Sequence, residues 1–74
     1  MKQKKVVGDY LKTIYILHRR KGTARGIDIA RELKVSRPTV SVALKSLEEE
    51  GYLLTDKSHE IHLTVLGRRI AVDT

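Results

Sequence analysis

The segment VSRPTVSVALKSLEEEGYL, residues 35–53, places a proline near the front of an otherwise helical pattern and an apolar residue, Val42, off its apolar stripe. Ser36 is suited to cap a helix, since its hydroxyl can accept a backbone N–H of the first turn. Pro38 then falls in that first turn, where a missing N–H deprives the helix of no hydrogen bond. From there Val40, Ala43, Leu44 and Leu47 recur at the i, i+3, i+4, i+7 spacing of a buried helix face, and Gly51 marks the stop. At about 100° per residue the opposite side is centred on Pro38, Val42, Lys45 and Glu49. Val42 is therefore expected to point into solvent.

Upstream, only the turn LKVS separates this helix from a shorter one, in which Ile29, Ala30 and Leu33 form one apolar side and Asp28 puts an acid in the first turn. Gly26 is the expected N-cap. An extended piece, Thr23 to Arg25, precedes it. Before that, Val7, Tyr10, Leu11, Ile14 and Leu17 line one face of a first helix, which ends with His18, Arg19, Arg20 and Lys21 against the negative pole of its dipole and Gly22 in the turn. The initial KQKK reads as a solvated basic tail. Downstream, YLLT and IHLT are alternating segments joined by the polar DKSHE, the pattern of a hairpin, and Thr64 is placed to cap a last helix through Arg69 and Ile70.

Two helices joined by a short turn outline a helix-turn-helix, and a hairpin after them makes a winged one. The expected fold is α+β, mostly α: a three-helix core, a two-stranded wing and the start of a fourth helix, in a single domain over residues 1–74. In such a unit the N-terminal part of the second helix of the motif enters the DNA major groove. The outward residues there are Arg37, Pro38, Thr39, Ser41 and Val42, with Lys45 a turn further on. Their hydroxyls suit phosphates or base edges, and Val42 suits the methyl group of thymine. Lys57 and Ser58, at the tip of the wing, are placed to reach phosphates or the minor groove.

Bulk properties agree. With 74 residues, the chain has room for one domain, of a size that buries roughly 60% of its unfolded surface. Fifteen Lys and Arg against nine Asp and Glu give a net charge of +6, a balance that favours polyanionic partners or anionic membrane surfaces. The absence of cysteine rules out a disulfide frame, a zinc finger and a thiol nucleophile, and fits a reducing, cytoplasmic setting. No apolar run approaches the roughly 18 to 20 residues of a membrane span, and MKQKKVV lacks the apolar core of a signal peptide. No membrane partner is expected.

Catalysis has little to stand on. The sequence has no glycine-rich phosphate loop and no nucleophile paired with any of its three histidines. Glu48, Glu49 and Glu50 lie at a helix C-terminus, where acids oppose the dipole, and read as a solvated outer end. His59 and His62 are three apart. Odd separations on a strand face opposite sides, so they read as surface histidines rather than joint metal ligands.

Taken together, DYLKTIYIL, ARGIDIARELKVSRPTVSVALKSLEEEGYL and IHLTVLGRRIA resemble the N-terminal DNA-binding region of the diphtheria toxin repressor family, iron- and manganese-dependent transcriptional regulators. The resemblance implies a repressor's reading head for double-stranded DNA. It implies that Ser36, Pro38 and Thr39 contact bases or backbone, and that Arg25, Lys57 and Ser58 contact phosphate. Val42 stands where the family often has a polar residue. Asp9 matches a first-helix position that supplies a metal ligand in the family, but Lys12 stands where manganese-type members have a second carboxylate. The resemblance thus implies no cofactor within this chain. Residues 1–74 are then either part of a longer protein or a naturally short relative: if a C-terminal metal-binding domain exists, Fe2+ or Mn2+ and the homodimer interface are expected of it, and a monomer is expected of these residues alone. Two alternatives stay open: a metal-independent winged-helix regulator of another family, and a winged helix used for protein contact.

Overall fold

The computed structural model describes residues 2–73, with side chains from residue 7 to residue 72. Four helices and one hairpin follow in order: α1 (Lys2–Lys21), α2 (Gly26–Leu33), α3 (Arg37–Glu49), β1 (Leu53–Thr55), β2 (Ile61–Leu63) and α4 (Val65–Asp73). The strands pair antiparallel, with Leu53 opposite Leu63, Leu54 opposite His62 and Thr55 opposite Ile61. The winged helix-turn-helix expected from the sequence is the fold observed.

The periodicities place the core. From α1 come Tyr10, Leu11, Ile14 and Leu17, from α2 Ile29 and Ala30, and from α3 Val40 and Leu47. Leu53, Ile61 and Ala71 close it from the hairpin and α4. The interior side chains of α1, α2 and α3 named here belong to the apolar stripes that the sequence assigns them, because burying such a stripe is the main favourable term in folding, whereas Ala24 and Ala71 are buried outside any stripe read from the sequence. Thr13, the one buried polar residue among those described, turns its hydroxyl back to the Asp9 carbonyl at 2.8 Å. α1 packs against α4, α2 and β2, while α2 and α3 pack on each other and α3 supports β1.

Four details depart from the expectation. First, the N-cap of α2 is Arg25, not Gly26, which is the first helical residue. The Asp28 carboxylate accepts the Arg25 N–H at 3.3 Å, so the cap is made by a side chain inside the helix reaching back. Second, the basic KQKK is not a tail: its backbone forms the beginning of α1, its side chains lying outside the described set. Third, α4 continues past Ile70 to Asp73. Fourth, the extended piece before α2 joins the sheet: Arg25 forms an antiparallel bridge with Glu60, and the Ile61 N–H donates to the Ala24 carbonyl at 2.8 Å.

The connection between α2 and α3 sets their crossing. Lys34 adopts the left-handed conformation, φ 59°, and the N–H groups of Lys34 and Val35 both return to the Ala30 carbonyl. This satisfies an orphan carbonyl of α2 and reverses the chain within three residues. Gly22 and Gly51, at φ 83° and 86°, end α1 and α3 in the same conformation, which glycine adopts at no steric cost.

Candidate nucleic-acid interface

The start of α3 is held by its own side chains. Ser36 Oγ accepts the Thr39 N–H at 3.3 Å and lies 2.8 Å from Thr39 Oγ1, while the Ser36 carbonyl accepts from Val40 N–H. Pro38 has no N–H to satisfy. Arg37 therefore carries the open donor of the first turn, at the positive end of the helix dipole. Ser36, Arg37, Pro38, Thr39, Ser41, Val42 and Lys45 are all exposed, and Val42 leaves 72% of its surface in solvent. Val40 and Leu47, on the opposite face, are 1% and 5% exposed. The outward valine is thus a feature of the fold.

The wing is organised by one carboxylate. Asp56 Oδ1 accepts from the Ser58 N–H (2.9 Å), the Ser58 hydroxyl (2.7 Å) and the Glu60 N–H (3.0 Å), and Oδ2 accepts from His62 Nε2 at 2.9 Å. These donors, His62 first, hold the Asp56 carboxyl well below the usual carboxylate range, because each favours the charged form. His59 takes the left-handed conformation, φ 68°, to complete the turn. Lys57 is left exposed at the tip. The Ser58 hydroxyl is already spent on Asp56, so it has no proton to give a phosphate without breaking the turn.

Charge divides across the surface. Lys21 pairs with Asp28 at 2.8 Å, which lowers the Asp28 pKa, and Arg20 lies 3.8 Å from Glu32. Among the described residues Arg25, Arg37, Lys45 and Lys57 form no salt bridge, and all four are exposed. Glu48, Glu49 and Glu50 gather at the far end of α3, also exposed. One end of α3 is thus basic and hydroxylated, the other acidic. Arg25, through its bridge to Glu60, sits beside the wing rather than on α3.

Asp9 is exposed, and among the described residues it joins no group of three side chains able to hold a metal. His59 lies in the turn and His62 on β2, so they do not converge through the strand. Instead His62 lies with Glu60 and His18, a grouping the sequence reading missed. Its signal was partly legible, since Glu60 and His62 are two apart and share a strand face. Asp56 was likewise missed as a structural residue, although a carboxylate two positions before a serine in a turn is an Asx-turn pattern.

The helix-turn-helix, the hairpin after it and the exposed basic start of α3 define a winged-helix DNA-binding domain. Residues 4–61 match the model of the family described as "Iron dependent repressor, N-terminal DNA binding domain", and the chain belongs to that family. It is 40% identical over 62 residues to the HTH-type transcriptional regulator MntR of Geobacillus kaustophilus (strain HTA426), a match covering 84% of this chain and 44% of MntR. The crystal structure of T. acidophilum IdeR is similar at a TM-score of 0.81 and 34% identity, over 86% of this chain and 30% of that one. The apo form of ScaR, a manganese-activated repressor, is similar at 0.77 and 37%, over 88% and 31%. The chain spans less than half of MntR. Membership removes the alternative of a regulator from another winged-helix family. Among the described residues no helix is long and apolar enough to cross a membrane.

Proposed function

We propose that this chain is the double-stranded DNA reading head of a metal-dependent transcriptional repressor, acting in the cytoplasm by binding rather than catalysis. The observation that carries it is the exposed start of α3 with its N-cap, where Val42 and three hydroxyl-bearing residues, Ser36, Thr39 and Ser41, face solvent beside unpaired cations. In the complex α3 lies in the major groove. Pro38, Thr39, Ser41 and Val42 meet base edges, Val42 favouring the methyl of thymine, and Ser36 holds the helix start in shape while its exposed edge meets backbone. Arg25, Arg37, Lys45 and Lys57 contact phosphate, with Ser58 shaping the wing tip that carries Lys57. The repressor acts as a homodimer, two heads about 34 Å apart on a palindromic site. Fe2+ or Mn2+ and the dimer contacts are assigned to a C-terminal metal-binding domain if one exists, and a single head binds non-specific duplex at roughly 10⁻⁴ to 10⁻⁶ M.

Fluorescence anisotropy on a labelled duplex tests this. Four phosphate-neutralising cations give a log–log salt slope of about −3 to −4, at roughly −0.9 per contact. Thr39→Asp abolishes binding by setting a carboxylate against phosphate, yet leaves stability within about 0.5 kcal/mol, since an acid in the first turn suits the dipole. A slope near zero, or a Thr39→Asp variant that binds normally, would favour a winged helix used for protein contact.

A further inference from the structure

The grouping of His18, Glu60 and His62 belongs to neither the proposed DNA surface nor the family's metal position. A ligand atom from each lies within 4.8 Å of those of the other two. Asp9, the family's ligand position, is nine residues earlier on α1, about 13 Å along the axis at 1.5 Å per residue. From these three side chains we infer a binding site for a borderline divalent ion such as Zn2+, joining the end of α1 to the wing.

The backbone builds the site. Ile61 is buried, so its neighbours Glu60 and His62 project together from the other face of β2. Glu60 is fixed by two backbone pairings, one to Arg25 and one across the turn to Asp56. His18 comes from the last turn of α1 and meets the edge of β2, where its Nε2–H donates to the Ile61 carbonyl. The His18 and His62 ring centroids are 5.7 Å apart. Two nitrogens and a carboxylate oxygen are a donor set that imidazole-preferring divalent ions accept, with water in the fourth position.

The outer partners are those a metal-binding histidine needs. A carbonyl and a carboxylate can only accept, so Nε2 of His18 and Nε2 of His62 carry the protons given to Ile61 and Asp56. In the neutral rings this leaves each Nδ1 with the lone pair. Carboxylate and carbonyl acceptors behind the far nitrogen fix the tautomer and raise ligand basicity. Tetrahedral Zn2+ wants its ligands roughly 3.4 Å apart, so ligand atoms that start within 4.8 Å of one another close by at most about 1.4 Å on binding. Arg19 and Arg68 border the adjoining cleft; both are exposed and well solvated, and Arg19 is drawn onto the Tyr15 ring, 5.7 Å from its centroid. Glu60 supplies the local compensating charge. A bound ion cross-links two elements far apart in sequence and stabilises the native state by mass action.

The test uses the 74-residue chain and Zn2+ alone. Calorimetry is expected to give one saturable site, and long-range ¹H–¹⁵N spectra of the imidazoles to show His18 and His62 shifting together while His59 stays put. Glu60→Gln keeps the strand's backbone pairing and is expected to weaken binding at least about tenfold, with His59→Ala unchanged. The melting temperature should rise with Zn2+ for the parent chain and for His59→Ala, and rise less for Glu60→Gln. No saturable binding, shifts centred on His59, or a Glu60→Gln affinity equal to the parent's would each overturn the site. None of these readouts involves DNA, so the outcome is independent of the function proposed above.

Discussion

Single side chains in this domain carry more than one duty, and Asp56 shows how they can be separated. It accepts four hydrogen bonds that shape the wing, and only its charge makes it acid-sensitive. Its carboxyl is held below the ordinary carboxylate range in the folded chain, so the native state binds that proton more weakly than the unfolded state does. The stability this supplies is fully present above the unfolded pKa, about 3.9, and is lost as pH falls through the lower folded value. Asp56→Asn keeps an acceptor for the turn and removes the charge. The variant is expected to be less stable than the parent at pH 7, with the gap narrowing as pH drops below 4. Urea midpoints at pH 7, 4 and 3 measure this, and a gap that widens on acidification would contradict it. Ser36 is similar, for its oxygen is needed by the Thr39 N–H before any DNA is present.

At the level of elements, the parts legible in the sequence were those governed by local spacing. The stripes of α1 and α3, the Ser36 and Thr64 caps and the two strands all follow from period, capping chemistry and turn residues. What escaped was set by side chains reaching back within a turn or by partners distant in sequence. The cap of α2 rests on Asp28 reaching back, and the Arg25–Glu60 bridge and His18–Ile61 bond join segments up to 43 positions apart. Gly67 belongs with these. In a helix it reads as a minor weakness, yet a Cβ there would stand 1.9 Å from the Tyr52 carbonyl oxygen and 2.9 Å from its carbon. That carbonyl also accepts the Thr64 N–H at 3.1 Å, and the Thr64 hydroxyl gives its proton to Gly51 while accepting the Gly67 N–H. The start of α4 is thus bolted to the chain entering the wing. Gly67→Ala gains about 1 kcal/mol of helix propensity and meets an overpacking cost of about 1–3 kcal/mol or more, because backbone cannot step aside. A net loss of stability is expected, with faster hydrogen exchange at Thr64. A raised urea midpoint would show that α4 does not dock this closely.

For the molecule as a whole, the division between a small interior and a working surface can be tested by comparing two apolar residues of opposite placement. Ile14 has no exposed surface, packed in α1 at the heart of a core made by twelve of the described residues. Val42 is 72% exposed and lies outside the core. A domain of this length has a total stability of roughly 4–11 kcal/mol, at about 0.05–0.15 kcal/mol per residue. Truncating a buried isoleucine to alanine costs about 2–5 kcal/mol, through lost transfer energy and the cavity left behind. Ile14→Ala is therefore expected to remove a large share of the reserve, moving the urea midpoint sharply while its remaining folded molecules keep the parent's affinity for duplex. Val42→Ala should do the reverse: a midpoint within about 0.5 kcal/mol of the parent, since surface changes rarely cost more, and a weakened preference for thymine-containing sites. Paired denaturation and anisotropy on both variants decide the matter. If Val42→Ala lost stability and kept its sequence preference, the valine would be a structural residue, and its exposure would owe nothing to a duplex.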